Sequence, residues 1–256
     1  MGIELLRKLA RRGSMFTLDE VAGTERVDRS VLRVLLSRLE HKGYIGRIER
    51  GKYVILPLGA EKGSFAIHEF IPASVLVKPY AIGYWSALHH YGMTEQPSRT
   101  VFVQTTTRKG NYRKEVFGLP YWLVRVNGRK FFGMRREWVE DMEIRITDRE
   151  KTILDCLDQP RYCGGVVEVA KALGNERTER ALNLKRLSGY AARYGNSGVV
   201  RRLGYLCGRA GLDIRLPEPR ANSYLYLDPT MPKRGHTDPK WRLFVNLDDR
   251  MLGALE

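Results

Sequence analysis

The stretch 16-FTLDEVAGTERVDRSVLRVLLSRLEHKGYIGRIERGKYVIL-56 decides how the N-terminal part of the chain is read. Thr17 and Glu20 stand as Ser/Thr-x-x-Glu, the spacing of a capping box in which two free backbone amides are satisfied reciprocally. Phe16 and Val21 have the spacing of a hydrophobic staple. Gly23 is expected to end this very short helix. Asp28 is a good N-cap for a second helix, and Val27 and Leu32 repeat the staple. That helix should run to about His41, because Leu32, Leu35, Leu36 and Leu39 recur at i, i+3, i+4 and i+7 and make one buried stripe. Gly43 closes it. Tyr44 to Ile48 and Lys52 to Leu56 then read as two strands around Glu49, Arg50 and Gly51. Helix, tight turn, longer basic helix and hairpin, in that order, spell a winged helix-turn-helix.

The chemistry expected of that unit is DNA recognition. An α-helix fits the major groove of B-DNA, where arginine pairs bidentately with guanine and serine donates or accepts. Arg29, Ser30, Arg33 and Ser37 lie opposite the leucine stripe, and the first three are the expected base readers. Arg38 and Lys42 are weaker candidates. Arg47, Arg50 and Lys52 on the hairpin would reach phosphates, which sets affinity and register rather than sequence choice.

Composition agrees with an anionic partner. The chain has 256 residues and a formal charge of +15, more than solubility requires, which favours nucleic acid first and a membrane surface second. No apolar run approaches the roughly 20 residues of a membrane span, and the opening MGIELLRKLARRG lacks a signal peptide's apolar core, so a cytoplasmic protein is expected. Cys156, Cys163 and Cys207 form no C-x-x-C pair and read as buried free thiols, not as a disulfide or zinc framework. Residues 1–63 hold 13 Lys/Arg against 8 Asp/Glu, whereas residues 171–220 hold 11 against 4, so a second basic region is the denser one.

Along the chain, Ile3, Leu6, Leu9 and Ala10 give the opening helix an apolar face. Residues 57–63 read as a linker, and residues 64–79 as irregular structure interrupted by Pro72 and Pro79. A helix is expected from Tyr80 to Tyr91. The adjacent His89 and His90 point about 100° apart on it, poor geometry for joint metal binding. Strands follow at Arg99 to Thr107, Tyr121 to Val126, Lys130 to Met134 and Met142 to Ile146. Thr147 and Glu150 suggest a second capping box. Beyond it come a helix from Gly164 to Leu173 and two basic helices, Asn175 to Tyr194 and Ser197 to Ala210. These carry Arg180, Lys185, Arg186, Arg193, Arg201, Arg202 and Arg209, a candidate secondary basic surface. Strand patterns return at Ser223 to Pro229 and Lys240 to Asn246. The expected class is α+β: a winged helix-turn-helix over 1–63 and a larger mixed α+β domain over 64–256, with a subdivision near 147–175 left open.

With the middle and end of the chain in view, the sequence resembles the AbiEi family of antitoxins, transcriptional regulators of prokaryotic toxin-antitoxin and abortive-infection loci. The resemblance covers nearly the whole chain. It is carried by the N-terminal unit, GYWSALHHYGMTEQ (83–96) followed by TVFVQTT (100–106), RKFFGM (129–134), ITDREKTILDCLDQPRYCGGVVEVAKAL (146–173), YLYLDPTMPKRG (224–235) and WRLFVN (241–246). It implies binding to operator DNA, with several copies on repeated sites, and a cognate nucleotidyltransferase-like toxin as functional partner, direct contact being left open. On that match Arg29, Ser30 and Arg33 fall on the recognition helix, and Arg47, Arg50 and Lys52 in the wing. No catalytic residue, cofactor or metal is implied.

Two rival readings stand beside this one. A magnesium-dependent nuclease commonly needs an acidic residue and Glu-x-Lys on neighbouring strands. Here Glu150 and Lys151 are adjacent, Glu40 and Lys42 lie on a helix, and Asp148 with Asp155 is better explained by capping and solvation. No P-loop, dinucleotide fingerprint or nucleophile elbow is present, so no enzyme is expected. The other rival is a non-specific nucleic-acid-binding or protein-interaction module.

Overall fold

In the computed structural model, the residues described are 2–11, 13–56, 67–109, 112–140, 142–179, 181–219 and 222–252, without the side chains of 176–179. The chain begins α1 (Gly2–Ala10), β1 (Met15–Thr17), α2 (Leu18–Glu25), α3 (Arg29–His41), β2 (Ile45–Glu49) and β3 (Lys52–Ile55). Both bonds of the capping box form: the Glu20 amide donates to Thr17 Oγ1 at 3.2 Å, and the Thr17 amide to Glu20 Oε2 at 2.9 Å. Gly23 does not end α2, which continues to Glu25 and stops at Arg26 in the left-handed conformation. Asp28 caps α3 as expected, accepting the Ser30 amide at 2.7 Å. On α1 the inward residues are Leu5 and Leu9, whereas Ile3 is 57% exposed. The strand β1 was not legible as one. It pairs antiparallel with β3, which also pairs with β2, giving the sheet order β1-β3-β2.

After α4 (Ala73–Leu76), β4 (Ala81–Ile82) and α5 (Tyr84–His90), a mixed sheet forms from β4, β5 (Val101–Thr105), β6 (Arg113–Val116), β7 (Leu119–Arg125), β8 (Met134–Val139) and β9 (Met142–Thr147). Its order is β6-β7-β5-β4-β9-β8. Phe131 and Phe132, expected on a strand, precede β8 instead. Phe132 fills the core, and Gly133, at φ +65°, lets the backbone approach Lys151 and Tyr190 where a Cβ would clash. The segment 64–79 was expected to be irregular but includes α4, and the helix expected from Tyr80 starts at Tyr84 because Ala81 and Ile82 join the sheet.

The helices α6 (Arg149–Asp158), α7 (Val166–Glu179), α8 (Leu184–Tyr194) and α9 (Ser197–Arg209) follow. Asp148, not Thr147, caps α6, accepting the Lys151 amide at 2.8 Å, while Glu150 takes the Asn183 amide at 2.7 Å. The helix expected over Asn175 to Tyr194 is broken before α8, which Asn183 caps by accepting the Arg186 amide. A small sheet of order β10-β12-β11, made of β10 (Leu225–Tyr226), β11 (His236–Asp238) and β12 (Leu243–Val245), and α10 (Asp249–Leu252) complete the described chain. No helix among the described residues is long and apolar enough to cross a membrane.

Strand alternation sorts the six-stranded sheet into two faces. Phe102 and Val124 pack with α5 to α9, whereas Val101, Val103, Tyr121, Leu123, Ile144 and Ile146 face the other way. Against this second face lies the hairpin β2–β3, contributing Ile48, Val54 and Leu56, while its Ile45 and Tyr53 belong to the core under α1 to α3. A Cβ on Gly46 would lie 3.0 Å from the Phe117 ring and 3.2 Å from Val54, so these neighbours pack tightly over the glycine and would have to give for any larger residue. The expected linker at 57–63 lies outside the described residues. The subdivision considered near 147–175 falls on α6, whose residues 150–157 are all buried in the common core.

Polar groups fasten the same junction. Glu49 pairs with Lys114 at 2.7 Å, Lys52 at 2.9 Å and Lys109 at 3.3 Å, and Lys52 and Lys109 both donate to the Leu76 carbonyl. Burial alone would raise the Glu49 carboxyl, but hydrogen bonds from Lys114 and Lys52 and the charges of Lys52 and Lys109 bring it down from 4.5 to about 2.

Two members of the candidate secondary basic surface, Arg201 and Arg202, turn into the fold, whereas Lys185, Arg186, Arg193 and Arg209 are exposed. Arg201 is only 2% exposed. Its guanidinium donates to the carbonyls of Trp241 at 2.8 Å, Ser223 at 2.7 Å and Arg242. Arg202 turns inward to the carbonyls of Leu227 at 2.9 Å, Tyr226 at 3.1 Å and Leu157 at 3.2 Å. Arg186 pairs with Glu150, Arg209 with Asp249, and Arg193 lies 4.0 Å over the Phe132 ring. Lys185 is exposed, and Arg180 lies outside the described residues. The reason is physical: the small C-terminal sheet leaves carbonyls that need donors, and α9 supplies them.

Two measurements check this fold. Because Glu49 is depressed on folding, its contribution is complete above about pH 4.5 and lost as pH falls toward 2. Glu49→Gln should cost on the order of 2 kcal/mol in urea unfolding at pH 7 and flatten the loss of stability between those pH values. Arg201→Ala removes a donor from three carbonyls, of which only that of Arg242 keeps another, the Leu225 amide, and should cost about 3 kcal/mol in the same assay. A substitution there within about 0.5 kcal/mol of the parent would show that Arg201 is a surface residue after all.

Candidate nucleic-acid interface

The leucine stripe decides which way the rest of α3 faces. Leu32, Leu36 and Leu39 are buried, Leu35 is partly so, and they fix the helix over α1 and α2. The outward midline is then Ser30, Val34, Ser37 and His41, at successive spacings of four, three and four. Arg33 flanks it on one side, and Val31 and Arg38 on the other. All of these side chains are exposed.

At the N-terminal end of α3 the expected base readers are differently committed. Ser30 is tied to the cap, its hydroxyl 2.5 Å from Asp28 Oδ1, and the Ser30 hydroxyl and amide hold the Asp28 carboxyl below its usual range. Arg29 reaches back to Asp19 on α2 at 3.0 Å, an exposed pair that an incoming phosphate or base could replace at little cost. Arg33 and Ser37 face a cleft of about 560 Å³ between α3 and the hairpin.

That cleft gathers residues from three elements. Arg33, Ser37 and Glu40 come from α3, Arg47, Arg50 and Lys52 from the hairpin, and Thr17 and Asp19 from the start of α2. Gly51, at φ +76°, makes the hairpin tip, and its carbonyl accepts the Leu18 amide at 2.8 Å, which holds the tip beside α2. Arg47 and Arg50 are exposed. Lys52 was expected to reach phosphates, but its ammonium is engaged by Glu49 and the Leu76 carbonyl, so it fastens the hairpin. The arrangement can receive a negatively charged strand between Arg33 on one wall and Arg47 and Arg50 on the other, beside a convex helix face.

Val34 on the midline and Val31 on its flank, neither of them expected at the interface, are 54% and 47% exposed. The available signal was that both fall outside the leucine stripe, where a soluble helix usually carries polar residues. Apolar side chains at such positions suit contact with thymine methyl groups. Among the described residues no group of His, Cys, Asp and Glu is arranged to hold a metal ion.

Comparisons with known proteins add the architecture. No protein-family model matches the chain, and no curated protein matches it. Among solved structures it is similar to the crystal structure of the RV2827C protein from Mycobacterium tuberculosis, with a TM-score of 0.60 and 16% identity over 93% of this chain and 88% of that one. At that identity the likeness is one of fold, a mixed α+β architecture shared over most of both chains.

Proposed function

We propose that residues 2–56 form a winged helix-turn-helix that binds duplex DNA sequence-specifically, and that the protein is a cytoplasmic autorepressor and antitoxin without enzymatic activity. The observation carrying this reading is the pairing of an exposed helix face bearing Arg29, Arg33, Ser37 and Arg38 with a hairpin whose Arg47 and Arg50 share the adjoining cleft. In this reading α3 enters the major groove with Arg33, Ser37, Val31 and Val34 toward base edges, and the hairpin meets the neighbouring backbone. The element order and the sheet β1-β3-β2 support the same assignment. Antitoxin activity, a nucleotidyltransferase-like toxin partner and operator repeats rest on the resemblance to AbiEi antitoxins.

The decisive test compares binding to DNA upstream of the protein's own gene, or to a duplex selected from a random library, with binding to a scrambled duplex at two salt concentrations. A preference of roughly a hundredfold or more supports the repressor. Equal, salt-sensitive affinity would favour a non-specific or protein-binding module. Magnesium-dependent cutting would favour the nuclease.

Within that assay, Arg33→Ala should weaken specific binding by about 1 to 3 kcal/mol and relax base preference, whereas Arg50→Ala should weaken all duplexes alike and flatten the salt slope by about one unit. Equal losses on both duplexes for Arg33→Ala would remove it from the base readers. Replacing thymine by deoxyuridine under α3 should cost about 1 kcal/mol per methyl contact. That sensitivity should vanish in Val31→Ala/Val34→Ala, and a double variant that remains as sensitive would rule out methyl readout.

A further inference from the structure

A second cleft, remote in sequence from the proposed DNA face, opens where β7 ends beside the C-terminal end of α6, with a volume of about 440 Å³. Its floor is aromatic. The rings of Trp122 and Tyr162 meet edge to face at 5.1 Å, backed by Phe102 at 6.1 Å and 5.8 Å respectively. Its rim is cationic: Arg125 follows from β7, the Arg161 guanidinium lies 4.7 Å over the Tyr162 ring, and the Arg113 guanidinium 4.3 Å over the Trp122 ring. The lining also contains Lys130 and one carboxylate, Asp158. These neutralise one another at 2.6 Å, and Asp158 is further satisfied by Tyr194 and Asn196. The charge left to face a ligand is therefore positive.

Tyr84 also lines this cleft. The residue is fully buried, yet its hydroxyl has no hydrogen-bond partner among the described residues. It also sits at φ +54°, a conformation that costs an aromatic residue strain and that tends to persist at binding sites. Buried hydroxyls are ordinarily satisfied, so an orphan donor at the edge of a cleft points to a ligand acceptor. The cleft lies at the carboxyl end of β7, where Arg125, Val126 and Asn127 leave the sheet.

We propose that this cleft binds a nucleotide of nucleoside-monophosphate size, its base beside the Trp122–Tyr162 pair and the guanidinium groups that lie over those rings, and its phosphate between Arg125 and Arg161. The volume suits a ligand of that class and excludes a duplex. Aromatic rings beside guanidinium groups serve a flat base and an anion together, which a purely apolar or purely ionic ligand would not need. Gln159 stands at the same cleft with an amide donor and acceptor, and Asn127, whose Oδ1 accepts the Arg129 amide, with its amide donor. Nothing in this site depends on the proposed DNA binding.

Calorimetric titration of the full-length protein with AMP, GMP, CMP and UMP tests it, with adenosine and inorganic phosphate as controls. At least one nucleotide should bind saturably with a dissociation constant below about 1 mM, and each control at least about tenfold more weakly. Arg125→Ala/Arg161→Ala should weaken the nucleotide by about tenfold or more, while Arg33→Ala/Arg50→Ala leaves it unchanged. Tyr84→Phe should lose affinity while melting at or above the parent's temperature, because it removes only an unpartnered buried hydroxyl. A purely structural role for that hydroxyl would lower both. Failure of all four nucleotides to saturate, binding that survives the double substitution in the cleft, or loss of binding in Arg33→Ala/Arg50→Ala would overturn the assignment.

Discussion

Burial of the β2–β3 hairpin on both of its faces is the constraint from which the rest of the structure follows. Tyr53 points into the core under α1 to α3, and the next residue, Val54, into the core on the six-stranded sheet. A solvated hairpin would alternate apolar and polar residues, but this one is buried on parts of both faces and leaves mainly Arg47 and its tip to water. Burying Ile48, Val54 and Leu56 stabilises the junction by roughly 1.5 to 3 kcal/mol each. That total is large beside thermal energy, so the first unit does not swing on its connection. Gly46 under Phe117 and Glu49 among three lysines then fix the register of the contact.

For the proposed function this means that α3 is presented in one orientation relative to the larger part of the molecule. Only the hairpin tip, with Arg50, and the exposed Arg47 remain to touch a ligand, because Lys52 is consumed by the junction. Positive charge elsewhere follows the same economy. The basic helix α9 spends Arg201 and Arg202 on carbonyls of the small C-terminal sheet, which otherwise would be buried without donors. Part of the chain's +15 is thus structural, although Lys185, Arg186, Arg193 and Arg209 stay exposed on the neighbouring helices.

Local signals were legible in the sequence and long-range ones were not. The capping box at Thr17 and Glu20, the cap at Asp28 and the leucine stripe of α3 depend on residues within one or two turns, and these placed the helices and the outward arginines. The same kind of reasoning failed at Thr147, where Asp148 competed for the cap and β9 claimed the threonine. Arg201 and Arg202 illustrate the harder limit, since their partners lie 22 to 45 residues away and no periodicity encodes them. Val31 and Val34 were visible but unweighted, because attention to charge hid apolar residues on a polar face. The aromatic cleft drew no signal, as Tyr84, Trp122 and Tyr162 come from three separate elements.

The central claim is that α3 and the hairpin tip engage DNA together while the larger domain holds them in one pose. Hydroxyl-radical footprinting of the full-length protein on a selected duplex tests it most directly. The account predicts a compact footprint on both strands, one major-groove face with the backbone next to it, and loss of only the flanking backbone protection in Arg50→Ala. Diffuse protection without a boundary, or a footprint indifferent to substitutions on both α3 and the hairpin, would contradict it.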